Sequence, residues 1–108
     1  MVIKEIKMIE INSKAQLDET IKQEEISVIK IGTDWCFNCR SIQRQIESKE
    51  QDYPKLKFYW IDLDKLDIAD ELKVEDLPTL IAFKNGKEVS RKNEAELFDW
   101  LKFLSVDW

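Results

Sequence analysis

The sequence predicts an α/β fold with the element order β-α-β-α-β-α-β-β-α. Three observations carry this reading. Runs rich in β-branched and aromatic residues alternate with amphipathic stretches through most of the chain, the pattern of crossover units laid around a sheet. Two of the runs, Ile26 to Ile31 and Thr79 to Phe83, are almost wholly apolar, as strands covered on both faces are. Finally, Asn85-Gly86 stands between the last two runs, a dipeptide that closes a tight antiparallel hairpin.

Taken in order, Val2 to Ile11 alternates polar and apolar residues and predicts a first strand. Asn12-Ser13 stops it, and Ser13 with Gln16 fits a capping box for a short helix. Ala15, Leu17 and Ile21, with Ile26 as a further member, give that helix a weak apolar face. The second strand, Ile26 to Ile31, is interrupted only by Lys30, and Gly32-Thr33-Asp34 turns the chain out of it. From Cys36 to about Gln51, Ile42 and Ile46 recur at helical spacing with charged residues elsewhere, an amphipathic helix laid on a sheet. Pro54 ends it by disfavouring helix at the residue before. Leu56 to Leu63 reads as the third strand, Leu66 to Leu72 as a short helix and Val74 to Pro78 as a loop. Beyond the hairpin, Lys87 to Lys92 is charged enough for a sheet edge. Asn93 with Glu96 predicts the cap of a last helix, with Leu97, Phe98, Leu101 and Leu104 buried and Trp100 and Phe103 at the borders.

A chain of 108 residues supports one core, so residues 1–108 are read as one domain. Apolar residues at 44% and charged residues at 36% place it among ordinary globular chains rather than disordered ones. A net charge of −5 argues against nucleic-acid or anionic-membrane partners. The N-terminal stretch alternates apolar and charged residues, and no run approaches a membrane span. The expectation is a cytoplasmic monomer.

Cys36 and Cys39 are the only cysteines, spaced Cys-x-x-Cys where the second strand turns into the amphipathic helix. A helix N-terminus offers unpaired N–H groups and the positive end of the dipole. Such a seat favours the thiolate, the species that attacks disulfides. In a reducing compartment a cysteine pair is more often catalytic or metal-binding than a structural staple. The chain has no histidine, and a tetrahedral all-cysteine zinc site needs four thiolates, so a metal reading requires two chains.

The element order, Trp35-Cys36-x-x-Cys39 at the strand–helix junction, and Leu77-Pro78-Thr79 followed by an apolar strand and Lys84-Asn85-Gly86 together resemble the thioredoxin family. The likeness covers nearly the whole chain, with Pro78 lying 39 residues after Cys39. It implies a thioredoxin-like three-layer α/β/α sandwich on a mixed central sheet. It implies a cis peptide before Pro78, beside the cysteines. It implies Cys36 as nucleophile and Cys39 as resolving cysteine in dithiol–disulfide exchange. Trp35, Phe37, Leu77 and Pro78 would form the substrate-binding surface. The partners implied are disulfide-containing protein substrates and a recycling partner like thioredoxin reductase. No cofactor is implied beyond the redox-active Cys36–Cys39 disulfide, whose electrons come from that reductase or an external thiol.

Three departures stand out. Phe37-Asn38 replaces the Gly-Pro of thioredoxin between the cysteines; this dipeptide bears on thiolate stability, so no reduction potential carries over, and the cytoplasmic expectation favours a reductant. Lys30 stands where the family has a buried aspartate, and Trp60 where it has the accompanying lysine. Lys30 shares a face with Val28 and is expected beneath the helix, tuning Cys39 with Asp62 as candidate partner, or else snorkelling to solvent. The glycine of the segment before the last helix is missing, with Arg91, Lys92 and Asn93 in its neighbourhood, which suggests acidic partners. The alternative to an enzyme is a thioredoxin-like interaction module with little redox turnover.

Overall fold

The structure, a computed structural model, describes residues 8–93 and 95–107. Ten elements follow in chain order: β1 (Ile9–Glu10), α1 (Lys14–Ile21), β2 (Ile26–Gly32), α2 (Phe37–Lys49), a 3₁₀ turn (Glu50–Asp52), β3 (Leu56–Asp62), α3 (Ala69–Leu72), β4 (Thr79–Lys84), β5 (Lys87–Lys92) and α4 (Leu97–Asp107). The strands form one sheet in the order β1-β3-β2-β4-β5. β1, β3 and β2 run parallel, and β4 and β5 complete the sheet antiparallel. Of the strand expected over Val2 to Ile11, residues 2–7 lie outside the described residues.

Alternate side chains of the central strands divide the core in two. Val28, Phe58, Leu80 and Ala82 pack with Ile42 and Ile46 of α2 and with Leu97, Trp100, Leu101 and Leu104 of α4. Ile29, Ile31, Tyr59, Ile61 and Ile81 pack on the opposite face with Leu17 of α1 and Ile68 beside α3. The result is the three-layer α/β/α sandwich expected, and every residue of β2 is buried. A central strand covered on both sides has no use for alternation, which is why its sequence reads as an apolar run.

The capping residues at α1 work as their chemistry dictates. Ser13 Oγ accepts from the Gln16 backbone N–H at 3.1 Å, and Gln16 Oε1 accepts from the N–H of Asn12 at 2.9 Å. Asn85 and Gly86 both adopt positive φ (53° and 83°), the condition for a two-residue turn matching strand twist. Their N–H groups donate to the carbonyls of Gln23 and Ile21 at 2.9 Å, docking the hairpin tip on the end of α1.

Four local expectations are corrected. Ile26 belongs to β2 rather than to the face of α1, and Ala15 is exposed, because an eight-residue helix reaches the sheet over little more than one turn of side chains. The helix expected from Leu66 is only Ala69–Leu72; Lys65 and Leu66 N–H instead donate to the Asp62 carbonyl at 2.9 Å. Asn93 does not cap α4: its Oδ1 accepts from Ala95 N–H at 2.9 Å, and Glu96, at φ 54°, reverses the chain before the helix begins at Leu97. Trp100 is buried rather than marginal because its indole N–H finds Ser90 Oγ at 2.8 Å on β5.

Candidate active site

The site lies where β2 gives way to α2. Thr33 to Trp35 turn the chain, and Cys36, in an extended conformation, is the N-cap of α2. Its sulfur accepts from the Cys39 N–H at 3.2 Å, so the amide of the third helical residue points at Cys36 Sγ. The helix therefore presents partial positive charge to this sulfur, a setting that stabilises a thiolate when the pair is reduced. Cys36 and Cys39 are joined in a disulfide with their Cα atoms 5.2 Å apart. Cys36 is half-buried and Cys39 fully buried.

Gly32 explains how Cys39 fits. A Cβ at Gly32 would lie 2.5 Å from Cys39 Sγ and 2.9 Å from Cys39 Cβ, a distance that non-bonded atoms do not reach. The absent side chain lets the sulfur sit directly on the backbone of β2. In the sequence Gly32 reads only as part of a turn; a glycine closing an apolar strand just ahead of a Cys-x-x-Cys run is the signal of close approach.

Across the sheet, Thr79 pairs with Ile31, which sets Pro78 level with Gly32. The Leu77–Pro78 peptide is cis; Pro78 is buried and Leu77 partly so. Trp35 and Phe37 flank Cys36 and are 71% and 67% exposed. The Trp35 indole N–H donates to Asp64 Oδ2 at 3.0 Å, and the Asp64 N–H donates to Asp62 Oδ1 at 3.0 Å. Asp64, which sequence reasoning missed, thus fixes an exposed aromatic ring to the end of β3. Cys36, Trp35, Phe37, Leu77 and Pro78 all belong to this end of the sheet.

Lys30 lies on the α2 face, between Trp60 and Leu80 of the adjoining strands, and is 6% exposed. Its Nζ stands 5.4 Å from the centroid of the Trp60 ring. Burial pushes its pKa below the ordinary 10.5, against the opposing pull of Glu47, Asp34 and Asp62. Asp62 is buried but forms no direct ion pair with Lys30; the ion pairs among the described residues lie elsewhere. Arg91 does not serve the cysteine site. Its guanidinium donates to the Leu72 and Lys73 carbonyls at 2.9 and 3.0 Å and clasps Glu88 at 2.7 and 2.8 Å, because residue 91 faces the α3 side of the sheet with Ile81.

The thioredoxin family model matches residues 8–103. The chain belongs to the thioredoxin family. It is 38% identical to thioredoxin-1 of Saccharomyces cerevisiae over 78 residues, 71% of this chain and 76% of that one. It is 32% identical to thioredoxin-2 of the same yeast over 84 residues, 76% and 81% of the two chains. Among solved structures, Fasciola hepatica thioredoxin superposes with a TM-score of 0.79 at 27% identity, over 88% of this chain and 97% of that one. Oxidised mitochondrial thioredoxin 3 of S. cerevisiae gives 0.78 at 27%, over 88% and 93%. The protein is a thiol–disulfide oxidoreductase, and its family acts on disulfide-containing proteins and is recycled by a reductase. Among the described residues no cluster of three or more His, Cys, Asp or Glu side chains is placed to hold a metal ion, and no helix is long and apolar enough to cross a membrane.

Proposed function

We propose that the protein is a cytoplasmic reductant of protein disulfides that acts as a single domain. Cys36 is the nucleophile and Cys39 the resolving cysteine. The Cys36 thiolate attacks one sulfur of a substrate disulfide, forming a mixed disulfide and expelling the other substrate sulfur as thiolate. Cys39, deprotonated, then attacks Cys36 Sγ, closes the Cys36–Cys39 bond and releases the second substrate sulfur. Two electrons pass from the protein to the substrate, and the substrate sulfurs take up the two protons. A reductase like that of thioredoxin, or an external dithiol, restores the pair, and no further cofactor takes part.

The observation that carries the assignment is the asymmetry of the pair: Cys36 partly exposed with its sulfur under a helix N–H, Cys39 with no solvent access. An intermolecular attack needs access, and an intramolecular one needs only the neighbour. Trp35, Phe37, Leu77 and Pro78 form the apolar surface that receives the substrate chain, the two exposed rings providing most of its area. Lys30 tunes Cys39 from beneath α2, and Asp62 acts on it through the field rather than through contact. Reduction of insulin by dithiothreitol tests the function: the protein accelerates precipitation of the insulin B chain, and Cys36→Ser does not. An unaccelerated reaction with the parent protein would leave an interaction module in place of the enzyme.

A further inference from the structure

Next to the cysteines, α2 does not lie flush on the sheet. A cavity of about 300 Å³ separates Arg40, Gln43 and Arg44 of the helix from Lys30 of β2 and Trp60 of β3, with Thr33 at one end. It is distinct from the surface offered by Trp35 and Phe37, neither of which lines it.

Its lining is polar and cationic. Lys30 forms the floor, nine-tenths buried, with an aromatic ring on one side and no carboxylate in contact. Arg40 and Arg44 stand one helical turn apart at the mouth, both exposed. Thr33 is 7% exposed, and its hydroxyl, buried in the wall, has no hydrogen-bond partner among the described residues. Gln43 Oε1 is likewise buried and unpartnered, while its amide Nε2 is held by Glu47 Oε2 at 3.1 Å. Buried polar atoms are rarely left so, and a buried ammonium without a counter-ion is costlier still.

None of the carboxylates around the cavity forms a direct ion pair with Lys30, although Glu47, Asp34 and Asp62 all act on it through the field. Asp62 directs Oδ1 to the Asp64 N–H, Asp34 is exposed at the rim, and Glu47 holds the Gln43 amide. In the lining itself Lys30, Arg40 and Arg44 stand against the carboxylates of Asp34 and Asp62, with Glu47 outside it. The lining offers donors from Lys30, Arg40, Arg44 and Thr33, and an acceptor from Gln43. A guest matching both must carry acceptor oxygens and a hydroxyl on the same small anion. A simple carboxylate such as acetate meets the first requirement only; a phosphate that keeps a P–OH, inorganic phosphate or the monoanion of a monoester, meets both.

We propose that this cavity is a binding site for a phosphate group, free or on a small monoester, seated on Lys30 and held by Thr33, Arg40 and Arg44. The site shares Gly32 with the resting place of Cys39 Sγ, so its occupant lies beside the redox centre without blocking Cys36. Binding does not depend on turnover and is read on the oxidised protein.

The test is a titration of the ¹⁵N-labelled oxidised protein with inorganic phosphate, methyl phosphate and acetate, each at constant ionic strength. Phosphate produces saturable shifts at the Thr33 amide, the Gln43 side-chain amide and the Trp60 indole. Methyl phosphate does the same where the physiological guest is a monoester, and fails where only the free ion fits; acetate binds more weakly than either. Lys30→Met, which places an apolar chain among apolar neighbours, abolishes saturation. Arg44→Gln, at an exposed position that folding tolerates, weakens binding by about tenfold, as loss of one charge-assisted contact does. Shifts that never saturate, shifts unchanged in both variants, or acetate binding as tightly as phosphate would each overturn the assignment.

Discussion

At the level of single residues, the seat of Cys39 depends on what Gly32 lacks. Gly32→Ala would drive a methyl group into Cys39, and overpacking of this kind costs roughly 1–3 kcal/mol; denaturant unfolding of the oxidised protein should show the loss. Lys30 has its folded pKa lowered by burial, so the unfolded chain binds more protons wherever the two pKa values straddle the pH. Its penalty is therefore fully present below the folded value and disappears as pH rises to 10.5. Lys30→Met should raise Tm at neutral pH, with the gain shrinking toward pH 10.5; a gain independent of pH would mean that the cost of the lysine does not come from its charge. Glu50 has the opposite sign: burial first and Glu47 second raise its pKa above 4.5, and its Oε1 is buried without a partner. Its destabilising effect appears as pH rises through the raised value, so Glu50→Gln should increase Tm at pH 7 and change nothing below pH 4.5. Thermal scans across that range check it. Lys30 stands out in the sequence because a charge breaks an apolar run. Gly32 and Asp64 did not, because close approach and a side-chain hydrogen bond leave no periodic trace.

At the level of elements, the strands and the two long helices were legible because burial on one or two faces imposes a period on the residues. α2 and α4 are such cases, and Asn85-Gly86 declared its turn through the positive φ it needs. Their ends were less legible. Asn93 and Glu96 have the spacing of a capping box, yet Glu96 takes a left-handed conformation and the helix starts one residue later. Nothing local distinguishes these outcomes; the docking of Leu97 and Trp100 on the sheet decides between them. α3 is shorter than its pattern suggests, and its four residues end in carbonyls held by Arg91. A helix so short has little stability of its own. Arg91→Ala should cost about 1–2 kcal/mol, the range for hydrogen bonds to a charged donor of which part is exposed. Hydrogen exchange should show the loss concentrated in residues 69–74, and uniform loss across the sheet would contradict the local role.

At the level of the whole molecule, the sheet order β1-β3-β2-β4-β5 places β2 at the centre, with α2 issuing from its end. The cysteine pair thus sits where α2 leaves the most completely buried strand, with Trp35 and Phe37 exposed beside it. Fold and family could be read from the sequence because both rest on spacing. The cavity beneath α2 could not, since it depends on how far a helix stands off a sheet. The central claim is the division of labour between the two sulfurs, and trapping measures it most directly. Reduced Cys39→Ser, mixed with a disulfide-bonded peptide and analysed by intact mass, should accumulate a mixed disulfide through Cys36, whereas Cys36→Ser should form none at a comparable rate. Faster capture by Cys36→Ser, through Cys39, would contradict the account.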